Sequence, residues 1–323
     1  MKEERRYRLL RSIKNISICL VLLLPLCAIG AVYLFAETIV EDKVEIVKEE
    51  EITEEDLQSE NVPIIEEEPI QEDVLNVLLV GSDSKNPKSD SGRSDTMMLL
   101  SWNKTTNKAS MISFLRDSLV EVPGHGMTRL GHSYAYGGVG LTINTINQTY
   151  GLDIQNYIVI NFENLVHVID AIGGIEMTLT KEEVDYLKRY KFDFQVGNNL
   201  LNGKQALQHA RNRKVGSDFA RTSRQRDVIH ATYNKIMENK NPAEILALIQ
   251  FCMTQVRTNM SIEELYFSVT EVMEQAPTIA KSGIPASGTY VGDRYKNMSI
   301  LRIDVEANKK IIREMLYSEG GDL

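Results

Sequence analysis

Two groups of charged residues in this sequence could do chemistry on a phosphorylated substrate. Seven basic residues and one acid lie between Lys204 and Arg226, in a chain whose net charge is −9. A guanidinium group binds phosphate oxygens two at a time, so this cluster predicts an anion-binding site. The second group lies nearer the amino terminus and contains charges of both signs. Its members are Asp83, Arg93, Asp95, Arg116 and Asp117.

The second group falls at the ends of predicted strands. TMMLLSW and SMISFL are short apolar runs around the polar turn NKTTNK, a pattern that is typical of a β-hairpin. Pairing Trp102 with Ala109 in this hairpin places Asp95 opposite Arg116. Asp83 follows the apolar run VLNVLLV, and open α/β sheets bind ligands at the carboxyl ends of such strands. We therefore expect these carboxylates and arginines at one rim of a sheet.

A predicted helix carries the last arginines of the basic cluster. Residues 218–239 have a helical pattern with an apolar stripe that begins at Val228. The positions three, four and seven residues before it are Gln225, Arg224 and Arg221, which therefore face inward. A buried guanidinium needs a partner. For either arginine alone, two partners are possible. One is an internal carboxylate such as Asp83 or Asp117, and the other is a substrate phosphate.

The set as a whole favours a substrate phosphate. Its arginines outnumber the nearby acids, and the amino terminus of the helix adds free N–H donors for an anion. Asp83 and Asp95 would repel a bare phosphate, so we expect a divalent cation between them, and Mg²⁺ is the usual one. Arginines, two aspartates and a diphosphate form a phosphoryl-transfer site. The arginines of this set are Arg211, Arg213, Arg221 and Arg224.

The elements that must position these residues alternate between strand and helix. Further strands are predicted at NYIVINF, IEMTLT and LRIDV, and helices at LTINTINQTY, ENLVHVIDAI and EANKKIIREMLY. Helical patterns dominate from Gln205 to Ala276. This order, without an internal repeat, predicts the α/β class: a single αβα-sandwich domain over residues 74–323, with a mixed central sheet flanked by helices.

The amino-terminal part of the chain has a different composition. Residues 16–36 carry no charge and are long enough to span a bilayer, and the basic residues before them predict a cytoplasmic tail at 1–15. Residues 37–73 hold 16 acids against two lysines and predict a disordered acidic stalk. The domain is therefore expected outside a cell membrane, on a single-pass anchor. A signal peptide is the alternative, but no clean cleavage site follows. Cys252, the single cysteine outside this apolar run, is expected in the core.

Seven motifs, taken in order, resemble the signature of one family. They are GSDSK, SGRSDTMML, SFLRDS, GHSYAYGG, NFENLVHVIDAIGGIEM, LNGKQALQHARNR and SDFARTSRQR, within residues 75–240. The sequence thus resembles the LytR-CpsA-Psr family of cell-wall assembly proteins. The resemblance implies a membrane-anchored phosphotransferase that moves an anionic glycopolymer (teichoic acid, capsular or related polysaccharide) from undecaprenyl diphosphate onto peptidoglycan. It also implies a Gram-positive cell envelope as the location.

The resemblance further implies roles for individual residues. Asp83 and Asp95 are implied as carboxylates linked to Mg²⁺, and one of them as the base for the incoming hydroxyl. Diphosphate contacts are implied for Arg93, Arg116, Arg211, Arg213 and Arg224, supported by Arg221 and Gln225. A tunnel for the prenyl chain is implied between the sheet and the helices, with ordinary core packing as the alternative for each apolar residue. Its candidate lining residues are Leu141, Ile146, Phe162, Leu165 and Ile169.

Two other functions are compatible with parts of the sequence. A non-catalytic carrier-binding or regulatory protein of the envelope would share the anchor, the tunnel and the arginines. Such a protein would have little reason to place Asp83 and Asp95 beside an anion, which favours the enzyme. A nucleic-acid-binding regulator would use the arginine-rich segment, but the predicted topology places that segment outside the cell. No nucleic acid is therefore expected as a partner.

Overall fold

Six strands of mixed direction form the central sheet of the computed structural model, which describes residues 73–84, 94–238 and 241–318. They are β1 Val74–Ser82, β2 Ser94–Asn103, β3 Lys108–Phe114, β6 Asn156–Asn161, β9 Val256–Thr258 and β10 Thr278–Ile284. The order across the sheet is β10-β3-β2-β1-β6-β9. β1 runs parallel to β6 and β3 runs parallel to β10, and the other neighbours are antiparallel.

Three smaller antiparallel pairs and eight helices surround this sheet in the described ranges. The pairs are β4 Leu119–Val122 with β5 Gly126–Arg129, β7 Ile175–Leu179 with β8 Gly197–Leu201, and β11 Tyr290–Tyr295 with β12 Met298–Ile303. The helices are α1 Gly131–Tyr150, α2 Phe162–Ala171, α3 Lys181–Lys188, α4 Gly203–Ala210, α5 Asp218–Met237, α6 Pro242–Gln255, α7 Ile262–Gln275 and α8 Val305–Tyr317. All but α1 begin at a polar residue whose side chain accepts a main-chain N–H, as Ser217 does for α5.

One face of the central sheet is covered by α1 and α8. Side chains alternate between the two faces of a strand, so Leu78 and Val80 of β1 point to this face and their neighbours to the other. They pack against Ile143 and Tyr150 of α1 and against Ile312 of α8, all of which are buried. This layer is the larger part of the hydrophobic core, and it holds the sheet rigid from one side.

The opposite face carries a smaller apolar cluster. Leu79, Met98 and Met111 are its buried members, and Ile229 of α5 packs against them. A further core cluster joins α2, α3, α4 and α5 to the β7–β8 pair, with Val228 among its buried residues. Helices therefore lie on both faces of the sheet, which confirms the predicted αβα arrangement with a mixed sheet.

The elements predicted from sequence are confirmed over most of the described chain. Trp102 pairs with Ala109 in the β2–β3 hairpin, as counted from the sequence. The strands β9 and β10 of the central sheet were missed, because β9 has three residues and β10 is a largely polar edge strand. The short strands β4, β5, β8 and β11 and the helix α3 were not predicted either. The tail at 1–15, the anchor at 16–36 and nearly all of the stalk at 37–73 lie outside the described residues. Within the described ranges, no helix combines the length and apolar character needed to cross a membrane.

Candidate active site

Asp95 lies where three separate segments of the chain meet. It is near the start of β2, opposite Arg116, which follows β3. The Arg116 Nη1 atom forms an ion pair with Asp95 Oδ1, and Nη2 of Arg213 lies 3.1 Å from Asp95 Oδ2. Both carboxylate oxygens therefore contact guanidinium groups from residues far apart in sequence. The structure thus places Arg116 and Arg213 on one side of the molecule.

Arg116 is held in a strongly acidic environment. Burial disfavours its charge, but Asp95, Asp117 and Asp218 outweigh burial and raise the pKa of the guanidinium above its ordinary value. Its backbone oxygen accepts the N–H of Gly131 at 2.9 Å, and a Cβ at Gly131 would lie 2.9 Å from Cβ of Arg116. A glycine at the start of α1 therefore lets the helix approach the backbone of Arg116.

Arg221 is buried with part of its hydrogen-bonding capacity unused. It is 2% exposed, and Nη2 pairs with Asp218 at 2.9 Å. Its Nε and Nη1 atoms have no hydrogen-bond partner in the described part of the chain. Burial lowers the pKa of Arg221, Asp218 opposes that shift, and the positive charges of Arg116 and Arg213 add to it. An anion at this point would satisfy the two donors and relieve the repulsion.

Arg224 is buried as well, but the protein occupies both of its terminal nitrogens, and among the described residues only its Nε lacks a partner. Nη2 donates to the backbone oxygens of Asn212 at 2.6 Å and Val215 at 2.9 Å, and Nη1 lies 3.7 Å from Oε1 of Glu183. These contacts hold the loop that follows α4, which carries Arg211 and Arg213. Arg224 was expected to contact the diphosphate with Arg221 in support. Arg224 therefore holds the loop, and the diphosphate contact expected for it stays a prediction.

The internal carboxylates pair differently from the sequence expectation. Asp117, considered as a partner of Arg221 or Arg224, lies 3.5 Å from Nε of Arg129. That nitrogen also donates to the backbone oxygen of Ser299 at 2.9 Å. The pair therefore connects the β4–β5 hairpin to the β11–β12 hairpin, and it leaves the buried arginines of α5 to other acids.

An apolar cavity opens beside these charges, between the sheet and α2, α4 and α5. It contains about 520 Å³ of unfilled space when its open mouth is included. The guanidinium of Arg211 lies at its edge, 4.6 Å from the ring centre of Phe162. The cavity is lined by Leu79, Gly81, Thr96, Ile160, Asn161, Phe162, Leu165, Leu207, Ala210, Arg211, Gln225, Val228 and Ile229.

The cavity includes only part of the lining expected for a prenyl tunnel. Phe162 and Leu165 line it as expected. Leu141 and Ile146 belong to the core on the opposite face of the sheet, and Ile169 is buried in the cluster formed by α2 to α5. The error has a simple cause: an apolar helical residue is equally suited to either face of a sheet, and periodicity does not say which.

Asp83 lies at the same edge of the sheet as Asp95. The two strands are antiparallel, and a bulge after Gly81 pairs Ser82 with Ser94, so Asp95 is the extra residue of the bulge and Asp83 lies one residue beyond the last pair. Asp83 is exposed. Arg93, which was expected at this rim, lies outside the described residues. Among the described residues, no group of three or more acidic, histidine or cysteine side chains is arranged to hold a metal ion.

Comparison with known proteins settles the family. The model of the LytR_cpsA_psr family matches residues 35–315. The chain belongs to this family.

Two family relatives share most of the described domain. The polyisoprenyl-teichoic acid–peptidoglycan teichoic acid transferase TagU of Oceanobacillus iheyensis is 36% identical over 208 residues, which cover 62% of this chain and 63% of that protein. The match thus spans less than two thirds of that relative. TagU of Bacillus licheniformis, under the same full name, is 30% identical over 227 residues, or 69% of this chain and 72% of that protein.

A solved structure shows the same fold. It is the LytR-CPS2A-psr family protein YwtF (TagT) with bound octaprenyl pyrophosphate lipid, and it superposes with a TM-score of 0.60 at 23% identity. The superposition covers 76% of this chain and 91% of the other. The fold of the LytR_cpsA_psr family therefore accounts for the central sheet and the helices on both of its faces.

Sequence reasoning missed Glu183, the buried acid that lies beside Arg224. It starts α3 by a reciprocal pair of hydrogen bonds with Thr180, in the T-x-x-E pattern that marks a helix start. That pattern was readable in the sequence. The proximity of Glu183 to Arg224 and His209 could not be predicted, because it depends on how α3, α4 and α5 pack together. Oε1 of Glu183 lies 4.0 Å from Nε2 of His209.

Proposed function

We propose that the protein is a phosphotransferase that moves an anionic glycopolymer of the teichoic acid type from an undecaprenyl diphosphate carrier onto peptidoglycan. The names of its relatives support the reaction class, and the lipid in the TagT structure supports the carrier. The proposal includes an anchor at residues 16–36, with the domain outside the membrane of a Gram-positive cell. The acidic stalk and the basic tail motivate that topology.

One observation carries the proposal: the unpaired Nε and Nη1 donors of buried Arg221. Arg116 and Arg213 hold Asp95 between them close by, so three guanidiniums converge on one spot beside an apolar cavity. A diphosphate attached to a prenyl chain matches both the guanidinium groups and the apolar cavity. Its oxygens pair with the arginines, and its hydrocarbon occupies the cavity, whose edge is marked by Arg211.

The proposed step is attack by a hydroxyl of peptidoglycan on the phosphorus that carries the polymer. A new P–O bond forms, the bridging P–O bond of the diphosphate breaks, and the lipid phosphate leaves. The hydroxyl proton goes to Asp83 or Asp95 at the rim. Arg116, Arg213 and Arg221 stabilise the charge that develops on the phosphate oxygens, and fixed donors in a partly buried site do this well.

Mg²⁺ belongs to the proposal as a partner of the diphosphate. Asp83 and Asp95 would hold it, and their oxygen-only donors suit a hard divalent cation. In the structure Arg116 and Arg213 occupy both oxygens of Asp95. A bound diphosphate would offer those guanidiniums new oxygens, and Asp95 would then be available to hold the ion. When bound, the ion supplies neutralisation of the diphosphate charge.

The full-length chain, extracted in detergent, tests the reaction directly. A synthetic undecaprenyl diphosphate carrying a short glycan is mixed with peptidoglycan oligomers, and mass spectrometry follows the products. We expect glycan joined to peptidoglycan through one phosphate, and release of undecaprenyl phosphate. Excess EDTA should stop the reaction and added Mg²⁺ should restore it, whereas unchanged transfer in EDTA would remove the metal from the proposal.

The same assay separates the enzyme from a protein that only holds the carrier. Such a protein would bind the lipid and give no product under any metal condition. Asp83→Asn and Asp95→Asn should retain the protein's fold, measured by circular dichroism, while transfer falls. Lipid binding without transfer by the unmodified protein would contradict the proposed function.

A further inference from the structure

A basic and aromatic strip lies on the surface at the end of α3. The segment KRYK contains Lys188, Arg189, Tyr190 and Lys191, all exposed. None of its three cations forms an ion pair with a described residue, although nearby Lys181 pairs with Asp185 at 2.9 Å. We call this segment the α3 strip.

Hydrogen bonds connect the α3 strip to α4, the helix that precedes Arg211. The hydroxyls of Tyr190 and Tyr186 lie 3.2 Å apart, and the side chain of Gln208 on α4 donates to Tyr186 Oη at 2.7 Å. Burial and the contact with Tyr190 raise the pKa of Tyr186, and the positive charge of Arg211 opposes that rise. Arg211 comes three residues after Gln208 and lines the cavity, so this hydrogen-bonded path from Tyr190 ends one helical turn from a residue of the candidate active site.

Exposed acids flank the KRYK segment at Glu182, Asp185 and Asp193, whereas α4 and the loop after it carry only positive charge. Lys204, Arg211 and Lys214 also form no ion pair with a described residue, and the segment from 204 to 214 contains no acid. The nearest acid of α3 that faces inward, Glu183, is buried beside Arg224. Exposed cations without partners attract polyanions over several ångströms in water. Between the cations, the exposed ring of Tyr190 offers a flat face.

We propose that the α3 strip binds the anionic chain of the glycopolymer, in the part that extends beyond the lipid-linked end. The inference rests on the proposed function, because it takes the polymer of that reaction as its ligand. Phosphodiester groups would pair with Lys188, Arg189 and Lys191, and a sugar or polyol unit would lie on Tyr190. The strip would thus hold a long donor in place while its diphosphate sits among the arginines.

An anionic membrane surface is the competing partner for exposed cations. The observations favour the polymer, because the hydrogen-bonded path from the strip ends at Gln208, one helical turn from Arg211 of the candidate active site. The hydroxyl of Tyr190 is also hydrogen-bonded to Tyr186 rather than placed on an apolar patch. A membrane contact would not need that continuity. The two partners make different predictions in the experiment below.

The test compares two triple variants with the same change in charge. The strip variant carries Lys188→Gln, Arg189→Gln and Lys191→Gln. The control variant carries Lys309→Gln, Lys310→Gln and Arg313→Gln on α8, which covers the opposite face of the sheet. The ligands are poly(glycerol phosphate) without lipid, vesicles containing phosphatidylglycerol, and lipid diphosphate donors with either a disaccharide or a long polymer.

We expect the strip variant to bind poly(glycerol phosphate) about tenfold more weakly, the order given by three exposed charge contacts. Its affinity should also depend less steeply on salt, because fewer phosphates are neutralised. The control variant should bind like the unmodified protein. Both variants should transfer the disaccharide normally, and the strip variant alone should show a raised KM for the long donor. Tyr190→Ala should weaken polymer binding and Tyr190→Phe should not.

Equal polymer binding by the strip variant and the unmodified protein would overturn the inference, and so would an equal loss in the control variant. Loss of vesicle binding with intact polymer binding would assign the strip to the membrane instead. The proposed function is tested separately: it fails if the unmodified protein transfers neither the disaccharide nor the long polymer. Polymer binding is measured without lipid or acceptor, so its outcome does not depend on that failure.

Discussion

The two faces of the central sheet differ in how tightly they are covered. On one face, α1 and α8 bury Ile143, Ile146 and Ile312 with no exposure at all. On the other face, the buried apolar cluster has three members, Leu79, Met98 and Met111, and Ile229 of α5 is only partly buried against them. The cavity lies on this second face. One layer therefore stabilises the fold, and the other leaves space for an apolar ligand next to the arginines.

The same contrast recurs within α5, between two buried arginines three residues apart. Arg224 uses its guanidinium to hold the loop after α4, whereas Arg221 keeps two donors unpaired. Close packing and hydrogen bonding fix the first residue. The Nε and Nη1 donors of Arg221 have no partner among the described residues, as expected for a group that binds a ligand. The predictions below test this division between fold and site.

The largest effect is expected from Arg116→Ala. Removing one fixed donor from a site that stabilises developing charge costs about 100-fold to 1,000-fold in kcat, and Arg116 is also the close partner of Asp95. The assay is transfer of a lipid-linked glycan, with the thermal midpoint as the check on folding. Arg116→Lys is the matched control, because it keeps the charge and loses the planar guanidinium with its fixed donors. Normal transfer by a folded Arg116→Ala variant would remove this residue from the site.

The packed face should respond to Ile143→Ala by losing stability. Truncating a fully buried isoleucine costs about 2–5 kcal/mol of unfolding free energy, to be measured by urea denaturation. Ile229→Ala is the matched change on the open face, where the residue is partly exposed and lines the cavity. It should cost less than Ile143→Ala. Equal losses would show that the two faces are packed alike and would break the comparison.

The two arginines of α5 should also differ in what their removal changes: protein stability for Arg224 and anion binding for Arg221. Arg224→Ala should lower the unfolding free energy by about 2–4 kcal/mol, because it leaves Glu183 and two backbone carbonyls without their partner. Arg221→Ala should leave stability nearly unchanged and weaken the binding of inorganic diphosphate roughly tenfold, the loss of a charge-assisted contact. Calorimetry of both variants, by unfolding and by titration, gives the two readouts. The division of roles is wrong if Arg224→Ala weakens diphosphate binding at unchanged stability.

A smaller effect is expected from filling the cavity with Leu165→Trp. The indole would exclude part of the prenyl chain, and excluding two CH₂ groups already removes about 1.6 kcal/mol of binding free energy, or more than tenfold in affinity. Binding of inorganic diphosphate should not change. Ile146→Trp is the control on the packed face, where it should destabilise the fold because no space is present. Unaltered lipid binding by Leu165→Trp would place the hydrocarbon elsewhere.

Periodicity was enough to predict the hairpin pairing of Trp102 with Ala109 and the burial of Arg221 and Arg224. Both follow from local geometry, since side chains alternate along a strand and recur every three to four residues along a helix. The partners of Arg224 could not be predicted in this way. They are backbone oxygens of an irregular loop, at Asn212 and Val215, whose path depends on how the helices pack.

The smallest effect is expected at Cys252, which lies half-buried on α6. Burial raises the pKa of its thiol to about 11. Only the thiolate reacts readily with iodoacetamide, and its fraction falls roughly tenfold for each pH unit below the pKa. Alkylation of the folded protein should therefore be very slow at pH 7 and accelerate up to about pH 11. Cys252→Ser should transfer glycan at the normal rate. Rapid alkylation at pH 7, or lost transfer in a folded Cys252→Ser variant, would give α6 a chemical role.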